Sequence, residues 1–314
     1  MKPIEVIVQA DSGALTRGEQ TKINVTLDVK KPLKARGIHA VFVGGTETKA
    51  TYSTYNAATK SSQVQTTVQL AEVVRQEFLL SGHEKLGFFG NVADGLGTLF
   101  GGGKHDNLEP GQYDFEVNLD LPADAPGTFV GKKSRVYYEL AVHVDIAMGL
   151  DVIQTSGFDL PIVQAEFESN PIMTRYPEDM KKGLLDSLFA PNLKIEAALL
   201  QDHFLRGSQV QGVFQIDSDK PLNCRSISAR LLGIETTEAN QHHDTVHHIG
   251  PLHPISESGV VDGSFRQDFS FPAEVDSPAS TTGDLHAIHW FVQIEIDVPW
   301  AKDPKIRVPI VLLD

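Results

Sequence analysis

Hydrophobic side chains in this chain recur at every second position, which restricts the fold to one built from β-strands. Apolar and polar residues alternate over 22–29, and the same alternation recurs over 138–145 and 290–297. A period of two places one row of side chains in a core and the other in solvent, as in half-buried strands. Turn-forming Gly, Pro and Asp residues separate these runs. We therefore predict an all-β fold made of antiparallel β-sandwiches.

The two halves of the chain repeat each other. RGEQ at 17–20 returns as RGSQ at 206–209, and KPLKARGIHAVFVGG at 31–45 returns as KPLNCRSISARLLGI at 220–234, both at an offset of 189. FEVNLDLP, which begins at Phe115, is matched at an offset of 150, so the first half holds 189 − 150 = 39 extra residues. One core pattern used twice indicates two sandwiches in tandem.

Three segments follow from this repeat. We predict an N-terminal sandwich over 1–165 with a Gly-rich insertion near 82–107, a linker over 166–191 and a C-terminal sandwich over 192–314. The linker contains several Pro residues. Within it, 177–189 has an early Pro, early acidic residues and apolar residues on one side, which predicts a short helix.

The Gly-rich insertion carries apolar side chains on a segment that its glycines make adaptable. A long loop on a rigid scaffold often carries binding function. The candidate protein-interaction residues are Leu86, Phe88, Phe89, Leu96, Leu99 and Phe100. The alternatives are a loop that folds back over its own sandwich, a contact with a partner or a second copy, and a contact with a membrane interface.

The segment 240–253 holds five of the chain's 12 histidines, and HDTVH at its centre looks like the zinc-protease motif HExxH. That motif needs a helix, which places both histidines beside one metal ion. In a strand, His243 and His247 share a face but stand about 13 Å apart. We predict a polar strand and turn. A loop that folds His243, Asp244 and His247 around a metal, and pH sensing by the histidines, are the alternatives.

Charge and composition exclude several classes of function. The net charge of −14 disfavours nucleic acid as a partner and a broad contact with anionic lipid. A single cysteine rules out a disulfide within the chain and fits a reducing compartment. No signal peptide or apolar run of membrane-spanning length is recognisable, so we expect a cytoplasmic protein. No catalytic, cofactor-binding or metal-binding residue is predicted.

These segments, taken in order, resemble the arrestin family. The resemblance rests on the RGEQ turn, on the KPL segment with the strand that follows it, and on the strand 136–145 with its counterpart 289–297. It covers nearly the whole chain and extends to the arrestin-fold subunit of the retromer coat and to bacterial sporulation-control proteins. It implies two immunoglobulin-type sandwiches of about seven strands each, no catalysis and a role in binding other proteins.

The resemblance leads to a prediction of function. We expect a non-catalytic protein-binding adaptor, scaffold or regulator that needs no cofactor and whose partners are other proteins, with a homo-oligomer left open. The alternatives are a self-assembling structural protein and a metal-dependent hydrolase that uses the His242–His253 cluster. No residues in the sequence mark the buried charged cluster that holds arrestins inactive.

Overall fold

The elements in the described part of the chain are all β-strands. The computed structural model describes residues 3–11, 14–82, 106–147, 149–161, 169–175, 193–257, 259–273, 278–299 and 303–313. The all-β, tandem-sandwich prediction is confirmed. The predicted helix at 177–189 lies outside the described residues and stays a prediction.

The strands alternate with short turns along both halves. In the first half they are β1 (Ile4–Ala10), β2 (Gln20–Val29), β3 (Leu33–Asn56), β4 (Ser61–Gly82), β5 (Asp106–Leu108), β6 (Gly111–Asp120), β7 (Phe129–Val130), β8 (Ser134–Ile146) and β9 (Val152–Gly157). In the second half they are β10 (Ile172–Arg175), β11 (Leu193–Leu199), β12 (His203–Leu205), β13 (Gln209–Cys224), β14 (Ser226–Ala239), β15 (His242–Ile249), β16 (His253–Ser256), β17 (Gly259–Pro272), β18 (Thr281–Thr282), β19 (His286–Asp297) and β20 (Lys305–Leu313).

Each half contributes two sheets. In the first half the orders are β1-β2-β6 and β4-β3-β8-β7, with β5 paired to β3 and β9 paired to β8. In the second half they are β10-β11-β13-β17 and β12-β20-β19-β14-β15, with β16 paired to β14 and β18 paired to β19. The alternating residues of β2 fill a core as predicted, since Ile23, Val25 and Leu27 are fully buried.

The chain divides into two compact units, each assembled from separate segments. The first comprises Met1–Glu47, Leu70–Thr128 and Arg135–Ile162, and the second comprises Thr48–Gln69, Phe129–Ser134 and Val163–Asp314. The predicted domain boundaries at 165 and 191 fall among residues that the structure does not describe, and they stay predictions.

An aromatic ring packed on a glycine anchors the core of the first unit. Tyr138 is buried, and its hydroxyl donates to Pro126 O at 2.7 Å. A Cβ on Gly44 would lie 2.4 Å from the Tyr138 ring, so the ring needs a glycine beneath it. Burial, opposed by the charge of Arg17, raises the pKa of Tyr138 to about 12.

The second unit repeats this arrangement with a larger ring. Trp290 is buried, and its Nε1 donates to Pro278 O at 2.9 Å. A Cβ on Gly233 would lie 2.9 Å from the Trp290 ring. The glycines are 189 residues apart, and the aromatic residues and the prolines are each 152 apart. The offsets read from the sequence therefore connect structurally equivalent positions.

The backbone closes each unit in the same way. Thr128 N donates to Leu160 O at 2.8 Å, and Leu160 N donates to Thr128 Oγ1 at 2.9 Å. Ser280 N donates to Leu312 O at 2.7 Å, and Leu312 N donates to Ser280 Oγ at 2.9 Å. Both pairs of residues differ by 152, so the repeat extends to single hydrogen bonds.

Candidate functional site

Glu235 is a fully buried carboxylate on β14 in the second unit, with 0% of its surface exposed. Its Oε1 accepts from Lys133 N at 2.9 Å and Ser134 Oγ at 2.7 Å. Its Oε2 accepts from Lys132 N at 2.8 Å and from His248 Nε2, also at 2.8 Å. Both oxygens are therefore fully bonded, and the carboxylate holds the turn before β8.

The donors around Glu235 keep it ionised. Burial acts to raise the pKa of Glu235, because a charge is less well solvated inside a protein. The hydrogen bonds from His248, Ser134, Lys133 and Lys132 outweigh burial and lower the pKa to about 2. The group therefore carries a negative charge throughout the neutral range, and four protein donors stabilise that charge.

The turn over Glu235 requires a glycine. A Cβ on Gly131 would lie 2.6 Å from Glu235 Oε1. Gly131 N also donates to Ser134 O at 2.8 Å, which closes the turn. Because the carboxylate is fixed by its donors, it has little freedom to move away from an added methyl group.

A second ion pair lies beside the first. Lys133 Nζ contacts Asp244 Oδ2 at 2.9 Å and donates to Thr51 Oγ1 at 2.6 Å. Asp244 Oδ2 also accepts from Thr51 N at 2.8 Å. Burial raises the pKa of Asp244, but the bonds from Lys133 and from the Thr51 and Thr245 amides lower it further than burial raises it. The lysine thus bonds to β15 through its side chain and to β14 through its amide.

The histidine-rich segment forms the strand β15, as predicted, and its side chains alternate between two faces. His243 and His247 are exposed, whereas Asp244 and His248 are half-buried on the opposite face. His242 stacks on Tyr52 with ring centroids 3.7 Å apart. The strand therefore does not bring His243, Asp244 and His247 together.

Within the described ranges, no three His, Cys, Asp or Glu side chains are grouped so that they could hold a metal ion. The same part of the chain contains no helix that is long and apolar enough to cross a membrane. The predicted interaction residues Leu86, Phe88, Phe89, Leu96, Leu99 and Phe100 lie outside the described residues.

His286 on β19 is buried in the second unit, and neither of its ring nitrogens has a hydrogen-bond partner among the residues that the structure describes. Its ring lies against Phe129, with centroids 4.7 Å apart. Burial lowers the pKa of His286, and the charge of Glu235 partly opposes this effect. The imidazole is therefore neutral at neutral pH.

Acid is expected to destabilise the protein through His286. Its pKa is depressed in the folded state, so the unfolded chain takes up a proton first and the free energy of unfolding falls as pH drops below about 6.5. One proton contributes a slope of at most about 1.4 kcal/mol per pH unit. His286→Leu should flatten the slope measured by urea unfolding, whereas His289→Leu, at an exposed position of the same strand, should not. Identical slopes in wild type and His286→Leu would contradict this assignment.

The β3–β4 hairpin exposes apolar side chains at its outer end. Tyr55, Val64 and Val68 are 66%, 73% and 48% exposed. β4 lies at the edge of its sheet. The side chain of the neighbouring Thr67 is not part of this exposed group, because its Oγ1 accepts a hydrogen bond from Asn240 Nδ2 at 2.6 Å. Exposed apolar patches with a polar rim are typical of surfaces that contact other proteins.

The sequence reasoning missed the Glu235 cluster. The alternation along β14 did contain a signal, because Glu235 falls in the same row as Gly233 and Thr237, which are buried. Thr46 occupies the equivalent position in the first half. The second half thus has a carboxylate where the first half has a threonine. A buried carboxylate needs hydrogen-bond donors, so this difference indicates donors that the first half lacks. The backbone amides of Lys132 and Lys133 serve as such donors and have no sequence signature.

Comparison with known proteins places these features in context. Residues 5–159 match the family described as arrestin (or S-antigen), N-terminal domain. No curated protein matches the sequence. The crystal structure of Spo0M, a sporulation control protein from Bacillus subtilis, aligns with 18% identity and a TM-score of 0.34. That alignment covers 39% of this chain and 49% of the Spo0M chain, so the match spans about half of that relative.

Proposed function

We propose that this chain, whose residues 5–159 match the N-terminal domain of arrestins, is a non-catalytic protein-binding adaptor, scaffold or regulator. Members of this family are generally non-enzymatic and typically bind other proteins. We place the function in the cytoplasm, where a lone cysteine stays reduced.

The observation that carries the proposal is the contrast between the polar interior and the apolar surface. The buried carboxylate of Glu235 has its oxygens occupied by protein donors, which is an arrangement suited to holding a structure together. Tyr55, Val64 and Val68 instead expose apolar surface at the end of a hairpin. Such side chains gain free energy when a partner covers them, at about 25 cal/mol per Å². Binding through surface contacts therefore accounts for the exposed apolar side chains of the hairpin.

The Gly-rich insertion is the second proposed contact. Its large apolar residues stand among glycines in the sequence: Leu86, Phe88, Phe89, Leu96, Leu99 and Phe100. Aromatic and leucine anchors of this kind can fill pockets on a partner. The insertion and the hairpin residues can be tested separately, because they are separate segments of the chain.

Affinity capture from the lysate of the source cell, followed by mass spectrometry, tests the proposal. Three proteins are compared: the full chain, a variant with a short Gly-Ser bridge in place of 83–105, and Val64→Glu/Val68→Glu. We expect the full chain to recover a specific protein and at least one variant to lose it. Gln63→Glu, an exposed change on the other face of the same strand, is the matched control and should retain it.

The other outcomes separate the alternatives. Recovery of the chain alone, in every variant, would favour a self-assembling structural protein over an adaptor. A captured small molecule or metal together with turnover that His247→Ala abolishes would favour the hydrolase. Either result would contradict the proposed function.

A further inference from the structure

We infer that β17 is an interface between two copies of this chain, which pair their β17 strands in antiparallel register about a twofold axis at Gln267. This self-association is independent of the partner binding proposed above. Three properties of the strand support it: its place at a sheet edge, the direction of its backbone groups and the order of its charges.

β17 is the last strand of the sheet β10-β11-β13-β17. It pairs with β13 on one side, with Gln267 opposite Phe214 and Arg266 opposite Gln215. On its other side the sheet order gives β17 no hydrogen-bonded strand among the described residues, although β16 contacts it where His253 stacks on Phe271 with ring centroids 4.9 Å apart. A strand of 14 residues with one open side presents a row of backbone donors and acceptors to any extended segment.

The hydrogen bonds at the end of β17 fix which residues face the open side. Ala273 N donates to Ser208 O at 2.8 Å, and Gly207 N donates to Ala273 O at 3.2 Å, so Ala273 points its backbone groups toward β13. Backbone groups alternate along an antiparallel strand. The odd-numbered residues of β17 therefore face β13, and the even-numbered ones face the open side: Ser264, Arg266, Asp268 and Ser270.

Pro272 supports this assignment. It has no N–H to contribute, and proline is tolerated in a strand where its nitrogen faces away from the sheet. As an even-numbered residue it falls on the open side, where no donor is lost to β13. The Gln267 side-chain amide now donates to Asp268 O at 3.2 Å. The Asp268 carbonyl faces the open side, so a backbone N–H of a pairing strand can take the place of the Gln267 amide in this hydrogen bond.

The charges select one register. In an antiparallel pair, a residue whose backbone groups face the open side lies opposite another such residue. Even-numbered residues of one copy therefore lie opposite even-numbered residues of the other. A twofold axis at Arg266 would oppose two arginines, and an axis at Asp268 would oppose two aspartates. An axis at Gln267 places Arg266 of each copy opposite Asp268 of the other and Ser264 opposite Ser270. Opposite charges directly across an antiparallel pair stabilise it, and like charges destabilise it.

Both charged residues are available for this pairing. Arg266 and Asp268 are exposed on the same face of β17, and neither forms an ion pair with another described residue. The paired strands join two four-stranded sheets into one of eight strands. The interface is isologous, with the same patch used by each copy, so it closes as a dimer.

Charge reversal tests the inference, with mass measured by sedimentation equilibrium across a range of concentrations. Wild type should be a dimer, and Arg266→Asp or Asp268→Arg alone should raise the dimer dissociation constant about 10- to 30-fold, because each places like charges in both pairs. Mixing the two single variants should restore a dimer that contains one copy of each. The double variant Arg266→Asp/Asp268→Arg should dimerise by itself. Asp284→Arg, an exposed change outside β17, is the control and should behave as wild type.

A cysteine at the axis gives a second readout that does not depend on affinity. Gln267 would face its own copy as a non-hydrogen-bonded pair, with Cα atoms about 4.5 Å apart, which suits a disulfide. Gln267→Cys treated with oxidised glutathione should give a covalent dimer on a non-reducing gel, and the exposed control Thr282→Cys should not. A wild type that stays monomeric, or a dimer that survives both single reversals, would overturn the inference. Binding of an extended peptide to β17 of a monomer would do the same.

Discussion

Replacing Glu235 by glutamine is expected to lower the free energy of unfolding by about 3 kcal/mol at neutral pH. The pKa of Glu235 is about 2 in the folded protein against an ordinary value of 4.5, and each unit of that difference corresponds to about 1.4 kcal/mol. The amide also brings an N–H₂ group against the Lys132 and Lys133 amides. Urea unfolding of wild type and variant measures the difference.

The pH dependence identifies the charge as the cause. The folded-state pKa is depressed, so the stabilisation is fully present above about pH 4.5 and is lost as pH falls toward about 2. Wild type and Glu235→Gln should therefore converge in stability in acid. Glu238→Gln, which changes a partly exposed carboxylate on the same strand, is the control and should cost less than about 0.5 kcal/mol. A constant difference at every pH would show that shape, and not charge, explains the loss.

Trp290→Ala is expected to cost about 3–5 kcal/mol, the range for removing a buried aromatic ring. The ring is 1% exposed and packs on Gly233, and its Nε1–H is bonded to Pro278 O. Its loss leaves a cavity in the core and an unpaired carbonyl. Denaturant unfolding measures the cost, and His289→Ala, at the exposed neighbouring position, should change stability by no more than about 0.5 kcal/mol.

The equivalent position in the first unit suggests a milder substitution for Trp290. Tyr138 fills the equivalent position in the first unit and reaches Pro126 O through its hydroxyl. Trp290→Tyr should therefore be less destabilising than Trp290→Ala, because tyrosine keeps a ring and a donor in the place where the fold already accepts them. Equal losses for the two variants would contradict the structural equivalence of the two positions.

The fold was largely predictable because its causes are local. Alternation over 22–29 is a direct consequence of strand geometry, and the offsets of 189 and 152 connect residues that occupy equivalent places. The match of residues 5–159 to the N-terminal domain of arrestins was predictable for the same reason. The strand at His242–Ile249 was also predictable, since Thr245 and Val246 favour strands and Gly250 follows them.

The candidate site was less predictable because its contacts are not local. Glu235 is held by the backbone amides of Lys132 and Lys133, which lie about 100 residues earlier in the chain. A backbone amide looks the same in every sequence, so only the position of Glu235 on a buried row indicated that a partner exists. The proposed pairing of charges between two β17 strands was not predictable from the sequence either. Which backbone groups face outward becomes meaningful only once the sheet order shows that β17 is an edge strand.

We propose that this protein works by binding another protein through its surface, without catalysis. Isothermal titration of the purified captured partner, with the mass of both proteins measured before and after, is the first experiment to make. We expect saturable, reversible binding with no change in either mass, and weaker binding by the variants altered at 83–105 or at Val64 and Val68. A covalent change in the partner, or equal affinity for all variants, would rule this function out.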